Sequence, residues 1–367
     1  MSVWWVCLVL AGAFLLYLPT LGHGFVFDDA TLVVANPAVR DLGGTLRSLV
    51  DLNSVYRPLR VLSYAVDHAI GGMDPAIFRL SNLVYHALCL LVIWLVVRRV
   101  TGRPGISLAA LVFFALHPVH VDAVVYISGR RDLLASLFVL LAFYLYLRFQ
   151  DRRQWWYWPV LLACFLLAFA SKELGIVVPA LLLLYDWCRF TARAEPAAAW
   201  WRRSLRGAGE TLRQGWYFHG PVLAGAAGLA AYKLFWAPAS GKIGWWGGSP
   251  WNNLLTAAKV FCYELFIMVL PVSLRADYSH DSFPVAFQAF DPVGLAALAA
   301  VAALVGGLFW RACRGDFQTA FWGGWFFVCL LPMSHIVPHH ELFAEHYLYL
   351  ASLGGCVLAA LGLDALR

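Results

Sequence analysis

Two adjacent carboxylates, Asp28 and Asp29, stand about ten residues beyond a first apolar stretch, Val3 to Leu18, in a chain of which only 13% is charged. Like charges in contact drive pKa values apart, so such a pair can supply a base and an acid at neutral pH. Four more polar clusters interrupt apolar sequence: YRPL with Arg57; HPVHVDAVVYISGRRDLL with His117, His120, Asp122, Arg130 and Arg131; SKEL with Lys172 and Glu173; and PHHELFAEHYLY with His339, Glu345 and Tyr347. An ionisable group at membrane depth costs several kcal/mol unless it is paired or wet, so each cluster needs a reason.

Each cluster also has a structural reading. The two Asp could cap a helix or form a turn. His117 and His120 flank Pro118 and fit a turn as well as a metal site. The metalloprotease spacing HExxH is not met, because the His after His340-Glu341 is His346, on another helical face. Asp122 could be solvated or pair with Arg130 or Arg131. Arg57, Arg130, Arg131 and Lys172 could be snorkelling anchors, yet Arg and Lys are also the natural binders of phosphate. A phosphate at a membrane face suggests a lipid phosphate.

The elements that must position these groups are set by composition. Hydrophobic residues are 62% of the chain and mean hydropathy is +0.71, which leaves too little polar surface for a soluble protein of this length. Apolar runs of bilayer length recur throughout, so the fold class is an all-α polytopic membrane protein. The opening stretch lacks a basic n-region and is read as a retained helix, not a cleaved signal. The net charge of +6 comes mostly from Arg gathered in short loops, at 98–103, 148–153 and 189–213, which marks those loops as cytoplasmic and argues against nucleic-acid binding. The eight scattered Cys show no metal spacing.

About 11 transmembrane helices are expected in a single module, 1–367, with a long first outer loop carrying short amphipathic helices. Outer loops fall at 21–75 and 117–132 within a half spanning 1–190, an Arg-rich cytoplasmic loop at 191–215, and C-terminal helices at 216–367. Strict alternation would place PHHELFAEHY inside, whereas Arg311, Arg314 and Arg367 prefer the cytoplasm. The Arg bias requires one re-entrant or non-spanning segment between 216 and 272.

Taken in order, FVFDDATLVVANP, YRPLRVLSYAVDHAIGG, HPVHVDAVVYISGRRDLLA, SKELGIVVPALLLLYD and PHHELFAEHYLYLASLG resemble the membrane part of the transmembrane O-mannosyltransferases with tetratricopeptide repeats, a GT-C glycosyltransferase family. The tetratricopeptide array does not follow Arg367, so a bacterial-type relative without repeats is expected. His346 and Ala351 also depart from the pattern, where relatives carry Arg and Pro.

The resemblance implies a bundle of GT-C type and transfer of a mannose-like sugar from a polyprenyl-phosphate donor to a hydroxyl, with inversion. Protein Ser/Thr is the implied acceptor. The site would face the outer side of a bacterial inner membrane. For that chemistry Asp28 and Asp29 are the candidate catalytic residues, and Lys172, Arg130, Arg131 and Arg57 the candidates for donor-phosphate binding. His117, His120, Asp122, Glu173, Glu345 and Tyr347 are candidates for the acceptor site or pocket. A divalent metal (Mg, Mn or Zn) stays open, with His117, His120, His339 and Glu345 as its ligands. Membrane lipids are the remaining partner. The alternatives are a lipid or glycan acceptor, or a transporter or flippase of lipid-linked sugars.

Overall fold

A computed structural model describes residues 3–48, 57–195, 197–235, 244–278, 283–336, 338 and 341–366. Among them six helices are long and apolar enough to cross a membrane, and a pair bent by 56°, Pro104–Leu116 with Pro118–Val125, counts as a seventh if its two parts form one span. Two shorter apolar helices, Tyr157–Ser171 and Phe317–Met333, add to these. The chain divides into two compact units, residues 1–178 with 359–367, and residues 179–358. His339 lies outside the described residues.

The first unit opens with α1 (Val3–Tyr17). A single π-type turn over Ala30–Val34 and two short helices, α2 (Pro37–Arg40) and α3 (Leu42–Ser48), follow in the first loop. Then come α4 (Pro58–Gly71), α5 (Pro75–Thr101), α6 (Pro104–Leu116), the short α7 (Val121–Val125), α8 (Arg130–Arg152) and α9 (Tyr157–Ser171). Their ends are written locally. Asp74 caps α5 by accepting from Ala76 N, Pro75 opens it, and Gly102 closes it in a left-handed turn.

The first loop is not a free strap. Val33 of the π turn and Val39 of α2 are buried with Tyr64, Phe78 and Ile127, so the loop caps the ends of α4, α5 and α8 with a small apolar core. Arg79, near the start of α5, donates to the carbonyls of His23 and Gly24 at 2.7 and 2.6 Å and ties down the loop's entry. α8 rises roughly 33 Å from Arg130 to Arg152, about the thickness of a bilayer core. At its far end Arg99 pairs with Asp151. Arg103 pairs with Asp364, which brings the last turn of the chain to the arginine-bearing end, as the Arg bias expects.

The second unit holds most of α10 (Val177–Arg193), α11 (Trp200–Phe235), α12 (Pro250–Val269), α13 (Pro292–Cys313), α14 (Phe317–Leu330) and the start of α15 (Leu348–Ala365). The Arg-rich stretch read as a loop, 191–215, is helical from Trp200 onward. Its residues are mostly good helix formers, and burial recurs every four residues at Arg203, Gly207, Thr211 and Gly215.

α12 and α13 run parallel. Leu255 lies against Gly294, Cys262 Sγ meets the Ala297 carbonyl at 3.7 Å, and Leu265 and Met268 share a cleft with Leu304 and Leu308. The connecting residues run back along α12. Tyr278 packs on Tyr263, Ala286 N donates to Thr256 Oγ1 at 3.0 Å, and Trp251 Nε1 donates to the Ala289 carbonyl at 2.8 Å. Helices that cross a bilayer in succession are antiparallel, so α12 does not cross alongside α13.

Candidate functional site

The polar residues of the first unit converge on one short segment, Ser128–Asp132, at the start of α8. The chain reaches it through a tight loop closed by Gly129, where an added Cβ would sit 2.6 Å from the Ala123 carbonyl oxygen and 2.8 Å from that of Asp122. Only glycine fits there, which accounts for the residue before Arg130.

Ser128 holds the acidic pair. Asp29 Oδ1 accepts from Ser128 N at 3.0 Å and from Ser128 Oγ at 2.6 Å, while Oδ2 accepts from Val26 N at 3.1 Å. Asp29 is fully buried and Asp28 is exposed. Burial raises the pKa of Asp29, and the hydrogen bonds from Ser128 and Val26 oppose that rise. The Asp28 amide donates to Tyr126 Oη at 3.0 Å. Phe27, just before the pair, sits in the left-handed region at φ 46° and rests edge-on against Tyr126. A bulky residue there stores strain of about 1–3 kcal/mol. The local turn sends one carboxylate inward and leaves the other facing out. Environment, not mutual repulsion alone, separates the two.

Arg130 points into the unit. Its side chain is 0% exposed and pairs with Asp67 at 2.5 Å. It donates to Asn82 Oδ1, Ser63 Oγ and the Phe78 carbonyl at 2.8, 3.3 and 2.6 Å. Its guanidinium lies over Tyr64 at 4.7 Å, with Phe78 and Tyr85 nearby. Burial raises the pKa of Asp67 against the pull of Arg130. The structure therefore encloses Arg130 in protein contacts.

The next two residues face another cluster. Asp132 pairs with Lys172 at 2.6 Å, and Arg131 Nε lies 3.5 Å from Asp132. Arg57 pairs with Glu173 at 2.7 Å. Lys172 and Glu173 occupy the turn between α9 and α10, whose tightness depends on Gly175: an added Cβ would meet Phe169 N at 2.4 Å. Burial lowers the Lys172 ammonium to about 8, with Arg131 and Arg57 pushing the same way and Asp132 opposing. Arg57 itself is left-handed, at φ 57°, immediately before Pro58. Three cations and two carboxylates thus alternate across the end of α8, and Arg131 and Arg57 are the more accessible cations, at 13% and 10%.

His117 and His120 serve the bend between α6 and α7. His117 Nδ1 accepts from Val119 N at 3.2 Å, and the buried His120 ring lies 4.1 Å from that of Phe114. Asp122 is half-buried in α7. In the second unit Glu345 Oε1 accepts from Tyr278 Oη at 2.6 Å and from Arg275 N at 2.7 Å, and Tyr347 donates to Glu341 at 2.8 Å. Burial and the Glu345 carboxylate together push the Tyr278 phenol above its usual pKa. Among the described residues no three His, Cys, Asp or Glu come together as a metal would need. No step below passes through a metal ion.

Sequence reasoning missed Ser128, Asp67, Arg79 and Asn82. The signal was there for the last two. Arg79, Asn82 and His86 recur at helical spacing on the first turns of an apolar helix, where an uncompensated polar face is costly.

Fold and site define a class: a polytopic helical membrane protein whose first unit gathers acidic and basic side chains at one end of its spans. The matches to known proteins are specific. A family model described as dolichyl-phosphate-mannose-protein mannosyltransferase matches residues 64–196. Protein O-mannosyl-transferase Tmtc1 of Drosophila melanogaster is 39% identical over 188 residues, covering 48% of this chain and 21% of that protein. Protein O-mannosyl-transferase TMTC1 of Homo sapiens is 29% identical over 403 residues, covering 98% of this chain and 45% of that protein. Protein O-mannosyl-transferase TMTC3 of Mus musculus is 34% identical over 184 residues, covering 46% of this chain and 20% of that protein. The chain spans less than half the length of these relatives. The resemblance carried by the five sequence blocks is thereby shown. No solved structure matches.

Proposed function

We propose that this chain is the membrane module of a glycosyltransferase that moves a mannose-like sugar from a polyprenyl-phosphate donor to a hydroxyl, with protein Ser/Thr as acceptor. Similarity to protein O-mannosyl-transferases supports the reaction class. The observation that carries the site is the convergence of the exposed Asp28, the anchored Asp29 and the cations Arg131, Lys172 and Arg57 on Ser128–Asp132 and its neighbours.

In this reading the acceptor oxygen attacks the anomeric carbon as Asp28 takes its proton. The bond from that carbon to the phosphate oxygen breaks, and the electron pair leaves with the polyprenyl phosphate. A single displacement inverts the anomeric centre. Lys172, Arg131 and Arg57 oppose the charge that develops on the leaving phosphate. Asp29 is a positioning residue that fixes the turn bearing Asp28, and Arg130 braces the cationic segment from behind. The site faces away from the arginine loops, on the periplasmic side of a bacterial inner membrane.

The test incubates purified protein with radiolabelled polyprenyl-phosphate mannose, a Ser/Thr-rich peptide and a lipid extract. Label should enter the peptide fraction, and Asp28→Asn should stop it. Label appearing only in lipid or free glycan would transfer the assignment to that acceptor. Intact donor after incubation with parent protein, across several sugars, would end the enzymatic reading.

A further inference from the structure

The parallel packing of α12 has a cost at its tip. α12 ends at Val269, and beyond Leu265 and Met268 its side chains leave space that α13, α14 and α15 do not close. The result is a cleft of about 390 Å³ within the second unit, in the size range of sites that hold small molecules. Its walls are apolar, with Leu304, Leu308, Phe326 and Phe327 prominent. Gly307 faces open space: a Cβ added there would meet nothing within 4 Å.

Charge enters at one end only, where Trp310 and Arg311 line the cleft. That end is the C-terminal end of α13, a helix of bilayer length whose span is only 11% buried by protein and so faces lipid. Arg311 is half exposed and pairs with one carboxylate, Asp316, whose other oxygen caps α14 by accepting from Thr319 N. Arg314 lies over the Trp310 ring at 5.1 Å. A Trp beside two Arg at a helix end is the pattern of a bilayer interface, and Arg is well suited to phosphate. An apolar cleft with Arg311 in its lining and Arg314 stacked on the adjoining Trp310 matches one hydrocarbon chain under an anionic head group.

We propose that this cleft binds a lipid, with one chain lying along Gly307 between α13 and α14 and its phosphate at Arg311 and Arg314. This site is separate from the reading of the first unit and does not depend on it. The occupant is an anionic phospholipid, because a cleft of about 390 Å³ suits one acyl chain and is short of room for a long polyprenyl tail.

The test strips the protein in detergent, reloads it with phosphatidylglycerol, phosphatidylcholine or a polyprenyl phosphate, and counts retained lipid by native mass spectrometry. Phosphatidylglycerol, which is net anionic, should survive on the parent at least tenfold more than zwitterionic phosphatidylcholine. Gly307→Phe, which fills the cleft, and the double variant Arg311→Gln/Arg314→Gln, which leaves it open, should each reduce retention about tenfold while eluting as monodisperse protein. Retention of the polyprenyl phosphate in preference to phosphatidylglycerol would overturn the phospholipid assignment. Equal retention of phosphatidylcholine, or parent-level retention in both variants, would overturn the proposal. The surface double variant keeps the test decisive if Gly307→Phe fails to fold.

Discussion

Ser128 binds Asp29 twice, through its amide at 3.0 Å and its hydroxyl at 2.6 Å, across 99 residues of sequence. That pair of bonds separates the roles of two chemically identical neighbours. Asp29 is held by three protein donors and is buried, whereas Asp28 is left at the surface. Asp28→Asn should lower sugar transfer by about 10²–10⁴, the usual contribution of a general base, with thermal stability unchanged. Asp29→Asn and Ser128→Ala should lower both. Equal melting temperatures and equal rates in all three variants would remove the distinction.

Lys172 sets a pH limit. In the proposed transfer a protonated ammonium stands opposite the leaving phosphate, and burial lowers this group to about 8. Transfer rate should therefore be full below that value and fall as pH rises through it. Lys172→Arg, whose guanidinium stays charged, should extend activity to higher pH even if the rate at neutral pH drops. A pH profile of donor turnover for both proteins checks this.

The enclosed pair Arg130–Asp67 makes a stability prediction. Removing one partner, as in Asp67→Asn or Arg130→Met, leaves a buried charge without its counter-ion and should cost about 3–5 kcal/mol. The double variant Arg130→Met/Asp67→Leu should recover most of that loss. Thermal unfolding in detergent reads the outcome, and a double variant no better than the singles would show that the surrounding hydrogen bonds to Asn82 and Phe78 matter more than the ion pair.

Gly129 tests the loop that presents the site. Gly129→Ala drives a methyl into the Ala123 and Asp122 carbonyls, which are main-chain atoms and yield little. The expected penalty is about 1–3 kcal/mol, with transfer impaired in the folded fraction as Ser128 and Arg131 shift. A variant as stable and active as the parent would show that the loop is looser than described.

The parallel run of α12 and α13 is checked from outside. In a cysteine-free background, single cysteines at Ser249 and Ser273 should react with a membrane-impermeant maleimide from the same face. Labelling of the two from opposite faces would make α12 a span.

Much of the scaffold can be read along the chain. The long apolar runs that form Pro75–Thr101 and Pro292–Cys313 are visible in the chain, because a bilayer demands about 20 apolar residues of any crossing helix and local caps end it. The polar clusters announce themselves for the same reason. What cannot be read is direction. α12 looks like one more span until its contacts with Gly294 and Ala297 show it lying parallel to its successor.

The amino-acid sequence alone determines that this chain lives in a membrane, where long apolar helices such as Pro75–Thr101 run, where arginine gathers, and which few ionisable side chains need a purpose. Those are local properties, enforced residue by residue by the insolubility of charge and of open backbone in hydrocarbon. The tertiary structure decides which carboxylate faces out, that Arg130 turns inward to Asp67 while Lys172 meets Asp132, and that Ser128 links the first loop to α8. Such pairings join residues 40 to 99 positions apart. A hydrogen bond depends on ångström-scale distance and direction, which the packing of whole helices sets and no local pattern records.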